Sequence, residues 1–140
     1  ESEHTICGVG DAGAHVATIC DASYPTFMVP FWSRDRTRGK LLHLEHLIAK
    51  QTLKTAQTYG LNDRGALLKG MRADINIIDY EKISLTKPSL SYDLPAGGKR
   101  LIQKSNGYNH TFVKGIEVSH NGEFTGELPG KLIRGKQSIN

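Results

Sequence analysis

The hydrophobic pattern changes period near Gly60, and that change limits the folds open to this chain. Before it, "LLHLEHLIAKQTLKTAQTYG" places Leu44, Leu47 and Ile48 at i, i+3 and i+4. That spacing draws one apolar stripe along a helical segment over 41–59. Thr52 is the candidate cap of a second short helix, with Ala56 and Tyr59 on its buried side. Gly60 suits the left-handed position that ends it. After Gly60 the period becomes two. "ADINIID" alternates around Ile75 and Ile77, the pattern of a half-buried strand. "TFVKGIEVSHNGEF" reads as two hairpin turns, at Lys114-Gly115 and at Asn121-Gly122. The second is the stronger signal, because a type I′ turn needs positive φ at both central residues. "PAGGKR" and "TGELPGK" mark further turns. The chain therefore divides into 1–60 and 61–140, the latter a small β-sandwich or open barrel.

Residues 21–40 read as a loop, because Pro25 and Pro30 interrupt regular structure. Phe27, Phe31 and Trp32 make it too apolar for a free linker. With 38% hydrophobic and 23% charged residues, the 140-residue chain has the composition of a soluble globular protein. No apolar run is long enough to span a bilayer, and "ESEHTICG" lacks the apolar core of a signal peptide. A cytoplasmic protein without a membrane partner is the expectation. The net charge is +4, yet only "SRDRTRGK" is densely basic and Asp35 interrupts it. That pattern argues against nucleic acid as a partner. Cys7 and Cys20 lack CxxC spacing; a reduced pair and a disulfide both fit.

"CGVGDAGAH" holds the sharpest chemical question. Gly8, Gly10 and Gly13 spell G-x-G-x-x-G, the letters of a dinucleotide turn. The context fails. The strand before it, "HTIC", is short, the helix after it meets Pro25, and the next apolar run contains Pro30. Asp11 also sets a carboxylate where phosphate would bind. No dinucleotide cofactor is expected. Two readings of Asp11 remain. It forms an Asx-turn with its own backbone, or it stands at the C-terminal edge of a short strand, where barrel enzymes keep catalytic groups. His43 and His46 lie three apart on the helical segment without evident metal-binding partners.

Three stretches resemble the C-terminal end of the amidohydrolase superfamily, in particular its N-acyl-D-amino-acid deacylase branch. "GVGDAGAHVATICDASYPT" is similar to the last barrel strand and the loop after it. "GLNDRGALLKGMRADINIID" is similar to the return from the last helix into a β-sandwich. "YDLPAGGKRLIQKSNGY" and "VKGIEVSHNGEFTGELPGKLIRG" are similar to the branch's tail. The resemblance implies an α/β barrel remnant, the last strand and helix of a TIM-like barrel over 1–60, followed by a β-sandwich subdomain over 61–140. It also implies a metal-dependent hydrolase of carbon–nitrogen bonds, with zinc as the usual ion. Asp11 matches the aspartate that ends the eighth strand, which lies at the metal centre and passes the proton of the attacking water to the leaving nitrogen.

The family's early ligands include an H-x-H motif. The six histidines here, His4, His15, His43, His46, His110 and His120, contain none. A barrel takes roughly 250 residues, so a C-terminal fragment, inactive alone, is the expectation. The substrate implied is a small N-acyl amine or amino acid. Arg34 and Arg36 are candidates to meet its carboxylate, and His15 is either a support for a metal ligand or a packed loop residue. The alternative function is a non-catalytic β-rich packing or interaction module. Without barrel partners, Leu44, Leu47 and Ile48 would be exposed and would favour self-association.

Overall fold

A computed structural model of the chain describes residues 2–8, 10–12 and 18–139. Three α-helices come first: α1 (Tyr24–Pro30), α2 (Leu44–Gln51) and α3 (Leu53–Thr58). Eight strands follow: β1 (Ile75–Ile78), β2 (Ser84–Leu85), β3 (Ser89–Leu94), β4 (Gly98–Ile102), β5 (Ser105–Asn106), β6 (Tyr108–Val113), β7 (Ile116–His120) and β8 (Glu123–Phe124). None of the helices is long and apolar enough to cross a membrane.

Of the stretch expected to be a loop, residues 21–35 are helical, and 36–40 carry no regular element. A 3₁₀ turn (Asp21–Ser23) leads into α1, and a π turn (Phe31–Asp35) continues it. Pro25 sits in the first turn, where a missing N–H costs nothing. Pro30 lies in the last turn, and the helix widens immediately after it. The Arg36 N–H then bonds the Phe31 carbonyl five residues back, at 3.0 Å. The Phe27 and Phe31 rings stack at 4.8 Å, one turn apart. Both prolines thus fall where a helix tolerates them, which the sequence pattern alone did not disclose.

The segment expected over 41–59 breaks at Thr52, whose φ of −114° and ψ of −86° are not helical. Thr52 caps nothing forward; its Oγ1 donates back to the Ile48 carbonyl at 2.7 Å. Ala56 is buried as expected, but Tyr59 is 70% exposed. The exposed stripe expected of Leu44, Leu47 and Ile48 is only partly present: Leu47 is buried against α1, while Ile48 is exposed. Gly60 has φ +73°, the left-handed ending its position called for.

No strand precedes Asp11 among the described residues. A barrel strand needs ladder partners on both sides, and the described residues supply neither. The segment is instead fastened by side chains and a loop. Lys50 Nζ donates to the Ser2 carbonyl at 2.9 Å, and the Asp21 N–H donates to the Asp11 carbonyl at 2.9 Å.

The strands form three sheets: β1-β6-β7-β8, β2-β5 and β3-β4, each paired antiparallel. Lys114-Gly115 and Asn121-Gly122 all have positive φ and make the two expected tight turns. The expected alternation of β1 is broken. A register shift falls between Ile77 and Ile78, and Ile77 is 47% exposed. No strand residue is fully buried, so the sheets do not enclose a sandwich core, and no barrel closes among the described residues. The buried apolar residues are Met28, Val29, Leu47 and Ala56 on the helices and Ile83 before β2.

Polar contacts join the helical and β regions. Ser23 Oγ donates to Gln103 Oε1 (2.5 Å), Thr26 Oγ1 shares a hydrogen bond with the Tyr108 hydroxyl (2.9 Å), and Ser33 Oγ does so with Tyr80 (2.8 Å). Arg34 donates to the carbonyls of Tyr80, Glu81 and Ile83. The C-terminal segment returns to the helices, where the Gln137 N–H meets the Gly60 carbonyl at 2.8 Å.

Candidate functional site

Asp11 is exposed. Its carbonyl accepts from the Asp21 N–H at 2.9 Å. The Asx-turn considered from sequence would be closed by the backbone N–H two residues on, at Gly13, which lies outside the described residues. His15 lies outside the described residues. Among the described residues, Asp11 belongs to no group of three or more potential metal ligands. Asp11 itself offers a carboxylate oxygen, a donor type that zinc accepts.

The principal cavity lies beside α1 and α2 and encloses about 470 Å³. Cys7, four residues before Asp11, forms part of its wall with Trp32, Arg36, His46, Leu47 and Lys50. No carboxylate of the described residues lines it. The Arg36 guanidinium lies 4.4 Å from the centre of the Trp32 ring, a cation–π arrangement. Lys50 is only 8% exposed and donates to Ser2 and Thr5. Concave walls carrying several cations concentrate anions. Arg36 thus lines a place suited to an anion. Arg34 does not, since it pairs with Asp35 at 2.6 Å and serves the loop after β1. The hydrogen bonds that Arg34 donates to Asp35 hold the guanidinium above its ordinary range and the Asp35 carboxyl below its own.

The sequence reading missed Lys50, although a signal for it existed. Lys50 follows Leu47 by three residues on α2 and therefore shares its buried face. His46 lines the cavity, whereas His43 is exposed at the start of α2. Both cysteines are free thiols; Cys20 Sγ lies 3.9 Å from Gln103 Oε1. Among the described residues, the only group with metal-ligand spacing is His110, Glu117 and His120, in the β region.

Comparison with known proteins locates this geometry. Residues 1–118 match the amidohydrolase family. The N-acyl-D-aspartate deacylase of Alcaligenes xylosoxydans xylosoxydans is 36% identical over 95 residues, 67% of this chain and 17% of that protein. The N-acyl-D-glutamate deacylase of the same organism is 28% identical over 141 aligned positions, 98% of this chain and 26% of that protein. An allantoinase of Deinococcus radiodurans is 36% identical over 95 residues, 66% of this chain and 20% of that protein. The chain spans about a quarter or less of the length of these relatives. No solved structure matches it.

Proposed function

This chain belongs to the amidohydrolase family, and from that premise we propose that it acts as the C-terminal part of a longer hydrolase of carbon–nitrogen bonds, with N-acyl-D-amino acids as substrates. Within that protein, residues 1–60 supply the last strand and helix of a barrel, and residues 61–140 supply a β-sandwich subdomain. Zinc is the proposed ion, by resemblance to the family, with Asp11 beside it.

One observation carries the need for the rest of the hydrolase. The chain exposes 10051 Å². A compact monomer of 15.4 kDa exposes about 7,200 Å². The excess, about 2,900 Å², is as much as obligate interfaces bury. Leu67, Leu128 and Leu132 are each at least 78% exposed, and Ile48 and Leu44 line an open groove beside Gly65. Such a surface is suited to packing against the remaining barrel and sandwich elements. Left alone, the chain would self-associate through it. Sedimentation showing only monomer at high concentration would count against that.

Asp11 has the chemistry of a general base. Its carboxylate takes a proton from water as the water oxygen bonds to the amide carbon. The carbon–nitrogen bond then breaks, and the nitrogen leaves with the proton that Asp11 returns. The cavity lined by Arg36 and Lys50 receives the substrate's anionic group.

The test joins this chain to the preceding part of a deacylase relative and assays N-acetyl-D-aspartate and N-acetyl-D-glutamate with zinc. The fusion should turn over, the isolated chain should not, and Asp11→Asn should lower kcat at least about 100-fold. Arg36→Ala should mainly raise KM. Zinc-dependent turnover by the isolated chain would overturn its role as a part. Unchanged kcat in Asp11→Asn would remove it as the base.

A further inference from the structure

The β6–β7 hairpin gathers three side chains that the proposed hydrolysis does not use. His110 Nδ1 lies 2.7 Å from Glu117 Oε1, and His120 Nδ1 lies 3.0 Å from that same oxygen. The two imidazoles meet edge to face at 4.7 Å. All three potential ligand atoms lie within 4.8 Å of one another.

A bulge creates the cluster. Strict alternation would send Glu117 and His120, three residues apart, to opposite faces of the sheet. Thr111 pairs with Ser119, but the next residue, Phe112, pairs with Glu117, so Val118 is an extra residue in β7. The insertion turns Glu117 onto the face that carries His110 and Phe112. His120 stands directly opposite His110 and shares that face.

We propose that His110, Glu117 and His120 form a binding site for a divalent transition-metal ion of the zinc class, separate from the Asp11 site. Two imidazoles and one carboxylate are a donor set of borderline softness, suited to zinc and its neighbours rather than to calcium or magnesium. Ligand atoms around a tetrahedral zinc ion lie about 3.3 Å apart, given bonds of about 2.0–2.1 Å. The present spacings reach that with small side-chain rotations. Both rings now converge on one oxygen, and an ion between the three would satisfy all of them at once. Coordination through Nδ1 moves that proton to Nε2 of a neutral ring, or releases it from a protonated one. Three protein ligands leave a further position open to solvent. The side chains of His110, Glu117 and His120 are 34%, 33% and 55% exposed, so an ion has a path in. Bound there, it would cross-link β6 to β7 beside the Asn121-Gly122 turn.

The test uses the whole 140-residue chain, freed of any affinity tag, titrated with zinc chloride by calorimetry and followed by imidazole NMR. We expect one saturable equivalent, with the His110 and His120 ring signals shifting together. His120→Ala should weaken it at least about ten-fold, and His110→Ala likewise. His120 ends β7 and is more than half exposed, so its replacement leaves the fold intact; circular dichroism checks this. Asp11→Asn should leave this equivalent unchanged. Absence of saturation up to about 1 mM zinc overturns the proposal, as does binding that survives both histidine substitutions. Binding lost in Asp11→Asn but kept in the histidine variants would place the ion at Asp11. It would support the hydrolytic reading while removing this one.

Discussion

The helical region and the β region are stabilised in different ways. Among the described residues, 21–59 contain four of the five buried apolar side chains, Met28, Val29, Leu47 and Ala56, and one close ion pair, Arg34–Asp35. The region after Gly60 buries Ile83 alone but carries the tight turns and most of the ion pairs, among them Arg64–Asp63, Arg72–Asp74 and Arg100–Asp93. Burial therefore organises the first, and local geometry with surface charge organises the second. A region of the second kind can keep its hairpins while lacking a core. That is the expected condition of a sheet whose apolar partner lies elsewhere in a larger protein.

The largest effect should come from the helical core. Leu47 is 2% exposed and packs where α1 and α2 meet. Leu47→Ala should destabilise the chain by about 3 kcal/mol in a denaturant titration. Ile77→Ala, at a 47% exposed strand position, should change it by less than about 1 kcal/mol. Equal losses at the two sites would erase the contrast between the regions.

Gly107 gives the next largest effect. Its φ is +89°, and a Cβ there would lie 2.7 Å from the Ile83 backbone. Gly107→Ala should cost about 2–3 kcal/mol and displace Ile83 from its pocket. Gly122 also has positive φ, +82°, but faces open space. Gly122→Ala should cost about 1 kcal/mol, from backbone strain alone. A larger loss at Gly122 than at Gly107 would mean that turn strain, not contact with Ile83, limits the β region.

The same contrast explains what the sequence disclosed. Gly60, Lys114-Gly115 and Asn121-Gly122 were legible because a positive φ is imposed by residues adjacent in the chain. The helix over 24–30 was hidden because a proline's effect depends on its position within a helix whose start was unknown. The extra residue at Val118 was hidden because a bulge is a property of two paired strands. Without it, Glu117 and His120 fall on opposite faces and no cluster can be read. Lys50 was readable from its spacing to Leu47, yet its partners, Ser2 and Thr5, come from 48 and 45 residues away.

The smallest effect expected is a pH dependence that separates the regions by charge. Hydrogen bonds to basic partners hold five carboxyls below their ordinary range: Asp35 to Arg34, Asp63 to Arg64, Asp79 to Lys82, Asp93 to Arg100, and Glu117 to His110 and then His120. Four of these lie after Gly60. A carboxyl whose pKa is lower in the folded chain binds fewer protons there than when unfolded. Its contribution is complete above the unfolded value of about 4 and is lost as pH falls through the lower folded value. Lys82 is raised by its hydrogen bond to Asp79, so its share is complete below about pH 10.4 and is lost above its higher folded value. The pairs are solvent-exposed to varying degrees, so each contribution is small and weakens with salt. Amide exchange measured from pH 7 down to about pH 3 should show the β6–β7 and β3–β4 ladders loosening before α2, and added salt at neutral pH should narrow the gap. Loss of α2 protection first would mean that acid acts on the helical core rather than on the ion pairs of the sheets.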